Sequence, residues 1–218
     1  ANVAVLDTAS DDYLFPVVRE TVAAGALPDA LRELAAGSGG ELRALLDKAE
    51  RPAILLGQRA QNSPSFSRLR HAAAQLAAAV GATLGFVTDG ANAAGAALAG
   101  TLPHRGVGGV DVDQPGLNAA DMLNDGSSLD ACVVFGCEPE LDSAAGAAAL
   151  DALAAVGRVV CITPWVTEAM RGYADLILPI GTWAETAGTF VNAEGRWQSF
   201  GGAARPVGEA RPGWKVLR

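Results

Sequence analysis

Residues 158 to 180, "RVVCITPWVTEAMRGYADLILPI", carry the clearest signal of the architecture of the chain. The stretch holds two short apolar runs, "VVCIT" and "LILPI", separated by a segment of mixed polarity. Neither run alternates apolar with polar residues, which is typical of strands that are covered on both faces. The segment between them contains "TEAMRGY", which is long enough for a short helix. The stretch therefore predicts a strand–helix–strand unit within a parallel sheet.

The same order occurs earlier in the chain. Apolar runs at 52–57, 82–87 and 130–136 each end at a glycine or a polar loop. The first is followed by a helix predicted to begin at Ser63-Pro64, and the third by a long helix over 142–157. This alternation predicts an α/β fold with a doubly wound, mostly parallel sheet flanked by helices.

The domain organisation is predicted from a flexible break at Gly37-Ser38-Gly39-Gly40. Residues 1–36 read as an N-terminal segment that belongs either to the core or to a preceding domain. Residues 41–218 read as one Rossmann-like α/β domain, which opens with a helix over 41–50. The abrupt apolar start and the short helix near the end indicate a segment excised from a longer protein.

Composition excludes several classes of protein. The net charge is −8 and there is no cluster of lysine or arginine, so a nucleic-acid partner is not expected. Half of the residues are hydrophobic, which excludes wholesale disorder. No uninterrupted apolar run is long enough to insert into a membrane. The N-terminus lacks the features of a signal peptide, so an intracellular setting is expected.

The three cysteines, Cys132, Cys137 and Cys161, are not spaced as a disulfide framework or as a metal site. Cys132 and Cys161 lie inside apolar runs and are predicted to be small core residues. Cys137 follows a strand and is a candidate for exposure. No histidine lies near it in sequence to activate it, so no metal or catalytic role is assigned to the three.

Ligands in such folds bind at the carboxyl ends of the strands. One strand end carries Gly90 to Gly95, a distant relative of a phosphate-binding glycine loop with Asn92 at the central position. Another carries Glu138, Glu140 and Asp142, whose charge disfavours an anionic ligand. The two histidines are uninformative, because His71 falls on a solvated helix face and His104 lies in a loop. No catalytic residue is predicted.

The segment "GTFVNAEGRWQ", residues 188–198, gathers polar residues in one tight place. Asn192 and Gly195 suit a turn with positive backbone angles, and Phe190 or Val191 with Trp197 are expected to anchor its flanks. Glu194 and Arg196 are too close in sequence to indicate catalysis. A structural role is therefore expected for this turn.

The same region resembles the molybdopterin oxidoreductase family, in which a strand ending in Leu-Pro leads to an Asn-x-Glu-Gly-Arg-x-Gln turn. The matching residues are Leu178, Pro179, Glu185, Gly188, Asn192, Glu194, Gly195, Arg196 and Gln198. The resemblance covers about residues 51–218, is strongest from residue 163 onward, and implies the dinucleotide-binding-like domain of that family.

Within the family, the chain is more similar to the branch found in respiratory complex I than to the molybdenum enzymes. The molybdenum enzymes have Gly-x-Asn-Pro where this chain has Gly136-Cys137-Glu138-Pro139. A carboxylate cannot donate a hydrogen bond to the cofactor and repels its phosphates. This resemblance implies a non-catalytic scaffold without molybdenum cofactor, in a protein that carries electrons from NADH towards quinone.

The complex I branch further implies iron–sulfur clusters in a part of the parent protein that is absent here. It also implies soluble-arm subunits as partners, and a peripheral location on the cytoplasmic side of the bacterial inner membrane. The alternative is a cofactor-binding domain of a molybdenum-dependent oxidoreductase such as a formate dehydrogenase or nitrate reductase. There the loops after Gly57, Gly136 and Pro164 would bind molybdopterin guanine dinucleotide. An independent nucleotide-binding module would need a better glycine loop.

The resemblance to the family implies six candidate residues for the cofactor pocket. If the chain is the non-catalytic scaffold, none of them is assigned to a cofactor. They are Gly57, Gln58, Gly136, Glu138, Thr163 and Asn192.

Overall fold

The computed structural model describes residues 2–218; Ala1, the first residue of the predicted N-terminal segment, lies outside the described residues. The chain divides into two compact units, one ending at Gly90 and the other spanning Ala91–Arg218. The domain boundary predicted at residues 37–40 stays a prediction.

The elements of both units are short. The strands are β1 (Ala4–Asp7), β2 (Val18–Thr21), β3 (Ala53–Leu56), β4 (Thr83–Phe86), β5 (Cys132–Phe135), β6 (Val159–Thr163), β7 (Leu176–Pro179), β8 (Gly188–Val191) and β9 (Trp197–Phe200). The helices are α1 (Leu27–Ala35), α2 (Gly40–Lys48), α3 (Gln58–Gln61), α4 (Phe66–Val80), α5 (Ala93–Ala99), α6 (Ala119–Asn124), α7 (Pro139–Asp142), α8 (Ala148–Ala154), α9 (Glu168–Tyr173) and α10 (Gly213–Val216). Single 3₁₀ turns lie at Ala24–Ala26, Val107–Gly109, Gly126–Ser128 and Trp183–Glu185.

The first unit holds two parallel strand pairs, β1 with β2 and β3 with β4. Its longest helix, α4, packs against α1. Leucines at helical spacing on α4 turn inward because a 3.6-residue period places them on one face. The buried core residues are Leu31, Leu34, Leu42, Leu56, Leu69, Ala72, Ala73 and Leu76.

The second unit is built on a parallel three-stranded sheet in the order β5-β6-β7. Val134, Cys161 and Ile177 are paired in register across the three strands. They face a core that also contains Leu153 of α8 and Met170 of α9. These connecting helices permit parallel pairing of consecutive strands. The mixed α/β class and the parallel pairing predicted from the sequence are confirmed.

Two predicted helices differ from the observed ones. The helix expected at Ser63-Pro64 begins at Phe66, because the Ser63 hydroxyl accepts a hydrogen bond from the Ser65 amide (3.2 Å) and closes a separate turn. The long helix over 142–157 is reduced to α8. Gly146 takes a left-handed conformation with φ of 55°, which a continuous right-handed helix cannot contain.

Candidate functional site

The carboxyl ends of β5 and β6 are held together first by the backbone. Gly136 directly follows β5 with φ of 63°, a left-handed conformation that suits glycine. Its amide donates to the carbonyl of Ile162 at 2.9 Å. The chain then turns sharply, so that Cys137 and Glu138 follow at the edge of the sheet where ligands bind in this class of fold.

Glu138 and Trp165 bridge the two strand ends. The indole Nε1 of Trp165, just after β6, donates to Oε1 of Glu138 at 3.1 Å. Thr163 is buried; its hydroxyl donates to the Trp165 carbonyl (2.8 Å) and accepts from the Trp165 amide (3.4 Å). The Glu138 amide in turn donates to Oδ2 of Asp142 at 2.7 Å. The structure therefore joins the candidates Glu138 and Thr163 through Trp165, and joins Gly136 to the same strand end through the carbonyl of Ile162.

Sequence reasoning did not select Trp165. The available signal was its position in "TPWVTE", directly after a predicted strand. Trp165 is 53% exposed, although its indole nitrogen is bonded to Glu138.

An equivalent bridge closes the edge of the first unit. Gln58, which follows Gly57 after β3, donates from Nε2 to Oδ1 of Asp89 at 2.9 Å. Gln61 Nε2 donates to the carbonyls of Leu56 (3.0 Å) and Val87 (2.6 Å). As in the second unit, a neutral donor after one strand is bonded to a carboxylate after its neighbour.

Arg59 is the cation nearest to this bridge in sequence, and it is also engaged. Its Nη1 lies 2.8 Å from carboxylate oxygens of both Asp7 and Asp11. The hydrogen bond from Arg59 lowers the pKa of Asp11 below its usual value. Within the described part of the first unit, the guanidinium beside the β3 end is thus neutralised by two carboxylates.

The glycine-rich stretch from Gly90 to Gly95 supports a neighbouring strand. Oδ1 of Asn92 accepts a hydrogen bond from the Val191 amide of β8 at 2.8 Å. A Cβ at Gly95 would collide with the Asn92 side chain, so the glycine is what leaves room for this arrangement. The resemblance of this stretch to a phosphate-binding loop therefore has a structural explanation.

Asn192 closes the β8–β9 hairpin through its side chain. Its Oδ1 accepts from the amides of Glu194 (3.0 Å) and Arg196 (2.9 Å). The prediction of positive backbone angles is correct for Gly195, with φ of 78°, and wrong for Asn192. Asparagine supplies an Asx-type turn instead, in which its side chain replaces a backbone acceptor.

The flanks of the hairpin are anchored on one strand only. Val191 is 2% exposed, as expected, whereas Trp197 is 69% exposed, so the prediction that Trp197 anchors the turn is wrong. Val191 and Trp197 are register partners, but β9 is exposed along its length. Phe190 stacks edge-on against Phe200 with ring centroids 4.9 Å apart and supplies the second apolar contact of the hairpin.

The cysteines are kept as neutral thiols. Cys161 is buried, as predicted, while Cys132 and Cys137 are half-buried. Burial is the main cause that raises the pKa of all three, and the carboxylates of Asp142 and Glu140 raise that of Cys137 further. Because the thiolate is the nucleophile and the metal ligand, this environment disfavours both functions.

The remaining candidates add no reactive cluster. His71 and His104 are exposed. Among residues 2–218, no group of three or more His, Cys, Asp or Glu side chains is placed to hold a metal ion. None of the helices within those residues combines the length and the apolar character that crossing a bilayer requires.

Comparison with known proteins identifies a family and several relatives. The model of the molybdopterin oxidoreductase family matches residues 1–218. The G subunit of NADH-quinone oxidoreductase from Mycobacterium bovis is 33% identical over 205 residues, which cover 83% of this chain and 24% of that protein. The F420-dependent formate dehydrogenase subunit alpha of Methanocaldococcus jannaschii is 30% identical over 104 residues, 47% of this chain and 15% of that protein.

The fold also occurs among solved structures. One of them is the formyltransferase/hydrolase complex of Methylorubrum extorquens in complex with methylofuran, matched with a TM-score of 0.62 at 17% identity over 98% of this chain and 62% of that one. At 17% identity the match is evidence for the fold alone. The two curated relatives above are much longer proteins, and the chain spans 24% and 15% of their lengths.

Proposed function

Because the chain belongs to the molybdopterin oxidoreductase family, we propose that it is part of the G subunit of an NADH-quinone oxidoreductase, in which it acts as a scaffold without chemistry of its own. The whole subunit carries electrons from NADH towards quinone in this proposal, through iron–sulfur clusters in another part of the protein. The chain supplies two compact α/β units, whose strands we propose to follow the doubly wound scheme.

The observation that carries this proposal is the pair of bridges at the strand ends. Trp165 is bonded to Glu138, and Gln58 is bonded to Asp89, so the neutral donors at both edges are directed at carboxylates of the chain itself. The indole of Trp165 has a single N–H, which must lose Glu138 before it can bind a ligand, and Asp89 takes one of the two N–H donors of Gln58. Breaking such a charge-assisted bond costs about 1.5–3 kcal/mol, although the exposure of these pairs favours the low end.

The charges at these edges do not fit molybdopterin guanine dinucleotide, whose phosphates are anionic. Glu138 and Asp142 present carboxylates after β5, and Arg59, the nearby cation after β3, is already paired with two aspartates. A pyrophosphate requires free backbone or cationic donors. We therefore propose that the chain binds no molybdenum cofactor, and that Gly57, Gln58, Gly136, Glu138, Thr163 and Asn192 serve the fold.

The proposal extends to partners and location. Other soluble-arm subunits of respiratory complex I are the proposed partners, and the location follows as the cytoplasmic side of a bacterial inner membrane, bound peripherally through the complex. Exposed aromatic side chains suit this role: Trp183 is 87% exposed and Trp197 69% exposed on the second unit. Large exposed aromatics are enriched where proteins meet partners.

A second candidate function is the cofactor-binding domain of a molybdenum-dependent oxidoreductase. The observation that favours it is the identity of 30% with a formate dehydrogenase subunit over nearly half of the chain. In that case the loops after Gly57, Gly136 and Pro164 would surround the guanine dinucleotide, and the bridges described above would have to open.

Metal analysis of the purified full-length protein separates the two candidates. Iron without molybdenum or tungsten is the result expected from the scaffold proposal. Stoichiometric molybdenum or tungsten with an extractable pterin would overturn it in favour of the second candidate. A ligand that binds only the folded state must raise the Tm. Because we propose that the chain is not a nucleotide-binding module, NAD or GTP far above a plausible Kd should leave its Tm unchanged.

A further inference from the structure

A shallow groove is formed by α1 and α4 in the first unit. It has a volume of about 250 Å³. Six residues line it: Pro28 and Arg32 of α1, and Ser67, Arg68, His71 and Ala72 of α4. None of them belongs to the strand-end site described above.

The groove combines an apolar floor with a basic rim. Pro28 and Ala72 are buried and form the floor. Ser67 and His71 are one helical turn apart on α4 and therefore lie on one face of the helix. Arg68 adjoins them, and Arg32 approaches from α1. Two guanidinium groups and an imidazole thus line one groove in a chain of net charge −8.

The basic groups of the groove are available to a ligand. The side chains of Arg68 and His71 make no hydrogen bond or ion pair with the rest of residues 2–218, and both residues are exposed. Arg32 pairs with Asp29, three residues earlier on α1, and both side chains are at least half exposed. Exposed pairs at this spacing are weak, so Arg32 exchanges readily between Asp29 and a competing anion.

We propose that this groove binds a small anion carrying one phosphate or carboxylate group. A guanidinium offers a planar fork of donors that matches either group, and the Ser67 hydroxyl adds a neutral donor. The apolar floor accommodates a short hydrocarbon edge of the ligand. Pockets for drug-sized ligands typically measure about 300–1,000 Å³, so this groove suits a phosphate, a phosphomonoester or a short carboxylate and excludes a dinucleotide.

The test is a titration of the isotope-labelled chain followed by the amide signals of α1 and α4. Inorganic phosphate and acetate are added separately, with sodium chloride adjusted to constant ionic strength. We expect saturable shifts confined to residues around Ser67–Ala72 and Pro28–Arg32. Tighter binding of phosphate would identify the phosphate source, and tighter binding of acetate the carboxylate source.

Matched variants make the test specific. Arg68→Gln should weaken binding about tenfold, since a charge-assisted hydrogen bond contributes on that order. Arg70→Gln removes the same charge from an exposed position on the same helix but outside the groove, and should change the affinity by less than about twofold. His71→Gln provides a second groove variant should Arg68→Gln fail to fold.

Three results would overturn the proposal. The first is a linear, unsaturable response to both anions. The second is an equal loss of affinity in Arg70→Gln and the groove variants, which would indicate general electrostatics. The third is a set of shifts located away from α1 and α4.

Discussion

Replacing Gly195 by alanine separates the contribution of backbone conformation from that of side-chain packing in the hairpin turn. Gly195 has φ of 78°, and a Cβ built there meets no atom within 4 Å. An added methyl group therefore causes no collision. The whole penalty comes from the left-handed conformation, which costs an L-residue about 1–2 kcal/mol.

Gly201 is the matched control. It lies just after β9, a Cβ there also meets nothing within 4 Å, and its backbone is outside the positive-φ region. Gly→Ala reduces the conformational entropy of the unfolded chain at either position, so this gain cancels between the two variants. Gly195→Ala should be less stable than Gly201→Ala by about 1–2 kcal/mol. Gly195→Val should lose still more, and Gly195→Asn less, since asparagine tolerates this conformation.

Urea unfolding followed by far-UV circular dichroism measures the difference. With a slope of about 2 kcal/mol per M, the midpoints of the two alanine variants should differ by about 0.5–1 M. Tryptophan fluorescence is the poorer probe, because Trp165, Trp183, Trp197 and Trp214 are already at least half exposed in the folded chain. Coincident midpoints would refute the reasoning, since the two positions differ in backbone angle and not in available space.

Three further predictions concern the hairpin and the core. Glu194→Gln in the assembled complex of the proposed function should leave the NADH–quinone reductase rate within about twofold, because the turn uses the Glu194 amide and its carboxylate is exposed. A large loss of turnover with normal folding would make Glu194 an active-site candidate. Asn92→Ala should lower the free energy of unfolding by about 1–3 kcal/mol, because it leaves the amide of the buried Val191 without its acceptor. An unchanged urea midpoint would contradict this expected loss of stability. Burial raises the pKa of Cys161, so the stability that this thiol contributes is complete below the unfolded pKa near 8.5 and is lost as the pH rises towards the folded pKa. Cys161→Ala should therefore flatten the fall in the urea midpoint above about pH 9. An identical slope in the variant would show that this thiol does not titrate on unfolding.

The parallel strands were predictable because their signal is local. "VVCIT" and "LILPI" are apolar without alternation, and the structure pairs them in parallel as β6 and β7. The hairpin turn was also predictable, since the backbone requirement at Gly195 is met by glycine whatever the rest of the chain does.

The side-chain bridges were not predictable from local sequence. Trp165 and Glu138 are 27 residues apart, and nothing in either segment indicates that the indole nitrogen will meet that carboxylate. The exposure of Trp197 was missed for a related reason: its register partner Val191 is buried, but within the described residues the ribbon has no further strand to cover β9. Helix α8 is shorter than expected because Gly146 adopts a backbone conformation that composition alone does not specify.

The hydrogen bond from the Val191 amide to Asn92 has a consequence for how the chain acquires its structure. The two residues are 99 positions apart, whereas Asn192 closes its own turn within four. At a synthesis rate of about 5–20 residues per second, Asn92 leaves the ribosome roughly 5–20 seconds before Val191 does. The turn can therefore form as soon as it is made, while the ribbon is secured only once both segments have emerged. Until then Asn92, in the loop from Gly90 to Gly95, lacks the amide of Val191 as its hydrogen-bond partner.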